Sequence, residues 1–387
     1  MVTMTSADNA LKSVYLGVIS DQLNTSANPL LAKIRQSTAD VWGKEVRRLA
    51  RYGVNGGVGA GTEEGDLPSA AGNNYEQFVT TLKNLYGTIE ISDKAVRASE
   101  NNAGAFVNLL NAEMEGLIAS SSFNFGRMLF GDGSGILATV SSVSGTTVTV
   151  DSVKNLIEGM VVDFLDDGSE ISAATGRRIT AVDRDNKTFT VTGGALTGVE
   201  EGASVCVQGS YNLELTGLGA IFKTTGTLYG LDRATHKWMI PYIKTSVGAI
   251  SETVIQTAID RLEENAGSRV DFIVCSWGVK RALQKLFSEN KRNVDVMELA
   301  GGYRTISYNG IPVVADRFCP DGTMYLLNTA DFCLHQLCDW KWLEGDDGKV
   351  LKQVAGKPLY TATLVKYADL ICTRPCGQAM LSGITEG

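Results

Sequence analysis

The stretch Phe130-Gly131-Asp132-Gly133-Ser134-Gly135 ends the longest helical pattern in this sequence. A second glycine pair, Gly217-Leu218-Gly219, opens the next segment that reads as mixed helix and strand. The sequence between them has a different texture, because it is rich in Thr, Val and Gly and is patterned for short strands. We therefore predict that one folding unit has been inserted into another at this point.

The helical pattern covers Asp93 to Phe130. Its apolar residues recur at spacings of three, four or their multiples, which predicts one apolar side that packs on a core. These residues are Phe106, Leu110, Met114, Leu117, Phe125 and Met128. Gly131 follows the last turn, and we predict that it is the C′ residue in a left-handed conformation, which glycine adopts at little cost.

The segment between the two glycine stretches reads as β structure. Val140–Val143 and Thr147–Val150 flank Gly145, and Ile179–Val182 precedes Thr188–Thr192 through a polar turn. Short strands joined by such turns are typical of a small barrel or sandwich. The segment is long enough to be a domain with a core of its own.

A second feature lies before the long helix. Trp42–Tyr52 carries Lys and Arg among a few apolar residues, Gly53–Asn74 is a glycine-rich stretch, and Tyr75–Ile91 is strand-like again. Two arms around a flexible tip predict a long projecting hairpin. Isolated two-stranded hairpins are marginal in water, so we expect this one to need a neighbouring surface.

The remainder alternates helices and strands. Ser251–Asn265 reads as a helix with Ser251 as N-cap, and Val279–Asn290 reads as a second helix. Predicted strands follow over Ile306–Ala315, Thr323–Leu327, Asp331–Leu343 and Tyr360–Thr373. The fold class is therefore α+β.

Composition narrows the functional classes. A formal net charge of −8 weighs against a primary nucleic-acid binder, which needs clustered Lys and Arg. The N-terminus has no secretory leader and no stretch is apolar enough for a membrane span, so we expect a soluble protein made in the cytoplasm. The 7 cysteines fit reduced, buried thiols rather than disulfides.

Possible chemical sites are weak. Gly53–Gly61 is followed by a polar stretch that contains Pro68, and not by the helix that a phosphate loop requires. Cys333, His335, Cys338, Cys372 and Cys376 suggest zinc, but Cys372 and Cys376 would lie about 13 Å apart if they shared a strand. We interpret these cysteines as buried strand thiols, and predict no catalytic residue, no metal and no cofactor.

With the insert removed, the order of elements resembles the HK97-type major capsid protein of tailed bacteriophages. The resemblance rests on the helix ending in Phe130–Gly135, the Gly217-Leu218 continuation, Tyr308-Asn309-Gly310-Ile311-Pro312-Val313-Val314 and Gly322-Thr323-Met324-Tyr325-Leu326. It implies the following domains: an N-terminal arm (1–41), an extended-loop hairpin with flanking strands (42–91), a peripheral domain with a spine helix (92–136), an inserted β domain (137–212), an axial domain (213–338) and C-terminal strands that return to both (339–387).

The resemblance also implies function and partners. The chain would assemble with itself, as hexamers and pentamers, into an icosahedral shell around double-stranded DNA that it does not bind specifically. Scaffolding, portal and decoration proteins would be further partners, with assembly in the host cytoplasm and no contact with a membrane. The hairpin would lie over an adjacent subunit, and the predicted interface residues are Lys44, Arg47, Arg48, Arg51, Tyr75 and Phe78. The insert would face outward or brace neighbouring subunits, because insertions are best tolerated at exposed connections.

Two alternatives stay open at this stage. One is an encapsulin-type compartment shell of the same fold. The other is a soluble α+β hydrolase that uses His335 or Cys275, although the sequence lacks a grouping of nucleophile, base and orienting residue.

Overall fold

The computed structural model describes residues 28–39, 41, 43, 45–94, 103–289, 296–299, 303–345, 348 and 350–387. Helices and strands are both well represented, in agreement with the α+β prediction. The helices are α1 (Pro29–Lys33), α2 (Ala103–Phe130), α3 (Leu218–Ile221), α4 (Glu252–Ala266) and α5 (Trp277–Glu289). The strands are β1 (Arg35–Ser37), β2 (Glu45–Tyr52), β3 (Asn74–Thr81), β4 (Lys83–Ser92), β5 (Ile136–Ser144), β6 (Thr147–Val150), β7 (Val161–Asp166), β8 (Ser169–Glu170), β9 (Arg177–Asp183), β10 (Thr188–Val191), β11 (Ser204–Val207), β12 (Thr227–Leu228), β13 (Leu231–Asp232), β14 (Tyr242–Lys244), β15 (Phe272–Cys275), β16 (Val296–Leu299), β17 (Tyr303–Tyr308), β18 (Ile311–Ala315), β19 (Met324–Leu327), β20 (Phe332–Trp342), β21 (Lys352–Gln353), β22 (Leu359–Cys372) and β23 (Ala379–Leu381). None of the helices in these ranges has an apolar stretch long enough to cross a membrane.

The first sheet is built around β22. This strand pairs antiparallel with β20 along one edge and with β4 along the other, while β1 adds to β20 in parallel. The long helix α2 packs beside β4, where a Cβ built on Gly87 would lie 2.9 Å from the Leu117 side chain. Met114, Phe125 and Met128 of the predicted apolar stripe are buried. Residues 95–102, at the predicted start of this helix, lie outside the described residues.

One predicted domain boundary falls inside a strand. The division at Cys338 cuts through β20, which continues to Trp342 and pairs with β22 throughout the first sheet. Strand β23 follows β22 in the chain but lies in the second sheet, where it pairs with β14 and β19. Strand pairing, rather than position along the chain, decides which sheet a segment joins.

The second sheet has the order β14-β23-β19-β15-β18-β17-β16. Its central strand β15 is buried along its whole length, and α4 and α5 contribute to the apolar cluster that includes Ile273. Helix α4 has the predicted ends: the Ser251 hydroxyl accepts a hydrogen bond from the Val254 amide, and Gly267 is left-handed with φ of 55°. Helix α5 starts at Trp277, two residues before the predicted Val279.

Residues 136–207 form a barrel. Strands β11, β5, β6, β10, β9 and β7 pair in that order, and β11 also pairs with β7, which closes the sheet on itself. The two predicted hairpins of this segment are both present. The interior is a separate apolar cluster that contains Val148, Phe164, Phe189 and Val205.

The chain leaves α2 for the barrel and returns to the same place. A Cβ built on Gly217 would lie 2.6 Å from the Gly131 carbonyl oxygen and 2.7 Å from that of Leu129. Gly219 makes a similar close approach to the Gly131 carbonyl, at 3.0 Å. These two glycines are therefore required because their backbone packs directly on the last turn of the helix.

The prediction for Gly131 is wrong in one respect. Its backbone is not left-handed; the positive φ angles fall at Gly133 (87°) and Gly135 (79°). The Gly131 amide donates to the Met128 carbonyl at 3.1 Å, so the helix ends in a tight turn and reverses only afterwards. The returning chain occupies the space above this turn, and this contact takes the place of a left-handed cap.

Candidate assembly surface

The predicted hairpin consists of β2 and β3, and its two faces differ. The register pairs Arg48 with Phe78 and Arg51 with Tyr75. Because side chains alternate along a strand, Val46 and Phe78 lie on one face and Arg47 and Arg51 on the other. We call these the inner and outer faces of the hairpin. The second predicted arm is shorter than expected, since residues beyond Leu82 belong to β4 and the first sheet.

The inner face packs on the hairpin's own chain. Phe78 is fully buried and its ring lies 5.5 Å from that of Tyr229 and 5.9 Å from that of Trp238. Tyr52 stacks on Trp238 at 5.0 Å, and the Val79 amide donates to the Tyr229 carbonyl at 2.9 Å. The hairpin therefore obtains part of its neighbouring surface within the subunit. Phe78, one of the predicted interface residues, belongs to this internal packing.

A buried carboxylate holds the base of the hairpin. Asp369 on β22 accepts hydrogen bonds from the Thr80 hydroxyl at 2.5 Å, the Thr216 amide at 2.8 Å and the Thr216 hydroxyl at 3.0 Å. Burial raises the pKa of Asp369 although these donors oppose the shift. One side chain thus ties the hairpin, the segment that returns from the barrel, and the first sheet together.

The outer face is open to solvent. Arg47, Arg51 and Tyr75 of the predicted set lie here, and Tyr75 is 51% exposed. Leu49 lies on the same face and is 65% exposed. The sequence prediction missed Leu49, although strict alternation from Val46 would have placed it beside the two arginines. Exposed apolar side chains between arginines are typical of a protein–protein interface.

The other predicted residues have different positions. Arg48 is half-buried and lies on the inner face, opposite Phe78. Lys44 lies outside the described residues. Arg47 forms an exposed ion pair with Glu45 at 3.0 Å, so its charge is partly compensated. The exposed residues that we assign to the outer face are therefore Arg47, Leu49, Arg51 and Tyr75.

Residues 53–73 connect the two strands of the hairpin, and we call them the tip. Val54, Val58 and Leu67 are 84%, 87% and 90% exposed. The charged residues of the tip are all acidic, namely Glu63, Glu64 and Asp66. The tip therefore combines exposed apolar side chains with negative charge.

The two residues considered for hydrolase chemistry, Cys275 and His335, lie in packed interior positions. Burial raises the pKa of the Cys275 thiol to about 12, so a nucleophilic thiolate is disfavoured near neutral pH. His335 is 1% exposed. Cys376 lies in the turn Pro375–Gly377, not on the strand that ends at Cys372, so the strand spacing used for the zinc argument does not apply. In the part of the chain that the structure describes, no three His, Cys, Asp or Glu side chains are grouped to hold a metal.

The sequence matches the family model described as SU10 major capsid protein over residues 2–346. The chain belongs to the SU10 major capsid protein family. This capsid protein is therefore a structural component of a tailed-phage virion and not an enzyme, which removes the hydrolase alternative. No curated protein matches the chain in sequence.

The fold of this capsid protein is HK97-like and is similar to that of a solved phage capsid. The capsid asymmetric unit of cyanophage A-1(L) has a TM-score of 0.59 at 14% identity, covering 93% of both chains. The capsid of Myoviridae phage XM1 has a TM-score of 0.47 at 9% identity, covering 93% of this chain and 92% of that one. The encapsulin complex of Synechococcus elongatus PCC 7942 has a TM-score of 0.46 at 10% identity, with coverages of 93% and 89%.

Proposed function

We propose that this capsid protein assembles as hexamers and pentamers into an icosahedral shell around double-stranded DNA, and that the outer face of the hairpin contacts the adjacent subunit. One observation carries the second half of the proposal. The inner face is buried on its own chain, whereas Leu49 and Tyr75 on the outer face remain 65% and 51% exposed. Burying them against a second subunit would contribute roughly 1 to 3 kcal/mol each.

The domain roles follow from the sheets. We assign the first sheet and α2 to the peripheral domain, and the second sheet with α4 and α5 to the axial domain. The barrel is the inserted domain, and both its connections leave from the end of α2. This position supports an orientation towards the outside of the shell or towards a neighbouring subunit.

The enclosed DNA needs no specific site. The net charge of −8 disfavours adhesion of the genome to the shell. Scaffolding, portal and decoration proteins would act with this capsid protein during assembly in the host cytoplasm. Shell closure would come from many weak contacts repeated by symmetry, so small changes at each contact have large effects on the particle.

The test is assembly of the purified protein and its variants. Wild type is expected to form large closed particles by electron microscopy and sedimentation. The double variant Arg47→Glu with Arg51→Glu should lower the particle yield at least tenfold while the subunit stays folded. Arg184→Glu, at an exposed turn of the barrel, is the matched control and should assemble normally.

Two results would count against the proposal. Normal yield and stability of the double variant would remove the outer face from the interface. Small shells that enclose protein cargo and no DNA would favour the encapsulin alternative.

A further inference from the structure

The barrel meets the second sheet through a polar contact that lies outside its two chain connections. Lys154 is in the segment between β6 and β7, and its Nζ donates to the Cys319 carbonyl oxygen and to Oδ1 of Asp321, both at 2.5 Å. The Lys154 side chain is 22% exposed and that of Asp321 is 68% exposed. The buried Asp316 carboxylate lies within electrostatic reach of the same amine, which opposes the rise of the Asp316 pKa. Lys154 thus fastens the barrel to the segment between β18 and β19.

Both sides of this contact are anchored. On the barrel side, Val153 and Leu156 flank the lysine and lie in the apolar cluster of the barrel. On the other side, Phe318 and Cys319 lie in the large apolar cluster that also holds residues of α2. The Phe318 ring meets the Phe123 ring of α2 edge to face, with centroids 5.1 Å apart. The contact therefore joins two rigid parts of the subunit, and not two mobile loops.

The contact does not extend an apolar core from one part to the other. Among the described residues, the apolar cluster of the barrel is separate from the clusters of the two sheets. A partly exposed ion pair contributes little to stability and is weakened by salt. Small polar interfaces between domains commonly permit relative motion. The barrel can therefore leave the second sheet without disturbing any of the three clusters.

The connections between the barrel and α2 can serve as a hinge. We call residues 133–135 and 209–213 the neck. The Asn212 amide donates to the Ser134 carbonyl at 2.8 Å, so the two connections are tied to each other. Three glycines of the neck have positive φ angles of 87°, 79° and 66°, namely Gly133, Gly135 and Gly209. A few such residues between rigid parts are enough to absorb a change in domain orientation.

We propose that Lys154 is an electrostatic latch, which holds the barrel on the second sheet in the free subunit and, when released, lets the barrel turn about the neck. Copies of one chain in hexamers and pentamers meet their neighbours at different angles. A barrel that turns can present the same surface at each of these angles. This use of the latch rests on the proposed function, whereas the latch itself is a property of the single subunit.

Hydrogen exchange in the unassembled subunit tests the latch. Lys154→Met removes the charge and should speed exchange of the neck peptides at least fivefold, with exchange of β10 unchanged because the barrel stays folded. Lys154→Arg keeps a donor for the same acceptors and should behave like wild type. Arg184→Met, which removes a charge from an exposed turn of the barrel, is the matched control and should also behave like wild type. Unchanged neck exchange in Lys154→Met, or an equal rise in β10, overturns the proposal.

A zero-length carbodiimide crosslink tests release on assembly. The reagent takes up one water as it joins the Lys154 amine to the Asp321 carboxylate, and it joins only groups in contact. Mass spectrometry should find this crosslink within one chain in the free subunit, and at least twofold less of it in particles. The Lys223–Asp132 pair, at 2.9 Å on the α2 side of the neck, is the matched control and should give equal yields in both. No crosslink in the free subunit, or equal proportional changes for the two pairs, overturns the proposal.

Electron microscopy of the particles gives an independent check. Copies in different symmetry environments should differ in the orientation of the barrel relative to the second sheet, with the Lys154–Asp321 pair broken in at least one of them. The same orientation in every copy overturns the release of the latch but leaves the proposed function intact. Failure of wild type to form particles would instead overturn the proposed function, while the exchange experiment still decides on the latch.

Discussion

Arg127, in the last turns of α2, and Glu214, in the chain that returns from the barrel, form a buried ion pair through two hydrogen bonds. Arg127 Nη1 donates to Oε2 of Glu214 at 2.8 Å, and Nη2 donates to Oε1. Their side chains are only 4% and 3% exposed. The pair joins two segments that are 87 positions apart in sequence, at the base of the barrel.

Removing one partner of this pair should be costly. Glu214→Gln leaves the Arg127 charge buried without a counterion, and we expect the free energy of unfolding to fall by about 3 to 5 kcal/mol. Lys223→Met is the control, because it breaks the Lys223–Asp132 pair, in which the lysine is 50% exposed. That change should cost less than about 1 kcal/mol. Urea unfolding of the unassembled subunit measures both, and equal losses would contradict the assignment.

The close approach of Gly217 predicts a second effect. Gly217→Ala places a methyl group against the carbonyl oxygens of Met128, Leu129 and Gly131, which must move apart. We expect a loss of about 2 kcal/mol or more, as for other overpacked sites. Gly116→Ala, at an open position of α2, should instead stabilise the folded subunit by up to about 1 kcal/mol. Thermal melts of the two variants should therefore shift in opposite directions.

Asp316 predicts a pH dependence. Burial raises the pKa of its carboxyl from the ordinary 3.8 to about 6, while the Phe318 amide, Lys154 and Arg317 oppose the shift. The folded state then binds the proton more tightly than the unfolded state, so this carboxyl destabilises the fold as pH rises from about 4 to about 6. The full penalty, at most about 3 kcal/mol, applies above that range.

Asp316→Asn removes this penalty. The carboxamide oxygen can still accept from the Phe318 amide, which lies 2.9 Å from the carboxylate oxygen. The variant should be more stable than wild type at pH 7.5, and the advantage should vanish near pH 4. Melting temperatures across this range give the comparison, and an advantage that does not change with pH would contradict the role of the buried charge.

The barrel should fold alone. Residues 134–212 contain all its strands and a separate apolar cluster, and the Asn212 amide donates to the Ser134 carbonyl at 2.8 Å, so the two ends lie together. We expect a cooperative thermal transition for the isolated segment. Val205→Pro, in the strand that pairs with both β5 and β7, should abolish that transition because it interrupts the closing ladder. A non-cooperative melt of the unmodified segment would refute the prediction.

Local patterns were sufficient for most elements. The caps of α4 at Ser251 and Gly267 follow from residue types that favour those conformations. The end of α2 at Phe130 was predicted correctly because the glycines that follow it interrupt the helical period. These features are decided by residues that are adjacent in the chain, so the sequence alone is enough to predict them.

Long-range contacts explain the rest. Phe78 appeared as an interface residue because the sequence does not show Tyr229 and Trp238, which cover it. Gly131 suggested a left-handed cap because the returning Gly217 was not expected so close above it. Cys338 appeared to be a boundary because the pairing of β20 with β22 lies in the sheet and not in the order of the chain. In each case a contact with a segment distant in sequence gave a structure different from the one that the local residues favoured.

The pairing of β11 with β7 has a consequence for a capsid that is built from many copies of the barrel. At such a high local concentration, open sheet edges on neighbouring subunits could form non-native strand pairs with one another. A ring of strands that closes on itself leaves only the two-residue strand β8 outside the closed ladder. Closure thus lets a β-rich domain be repeated over a surface without becoming a nucleus for aggregation.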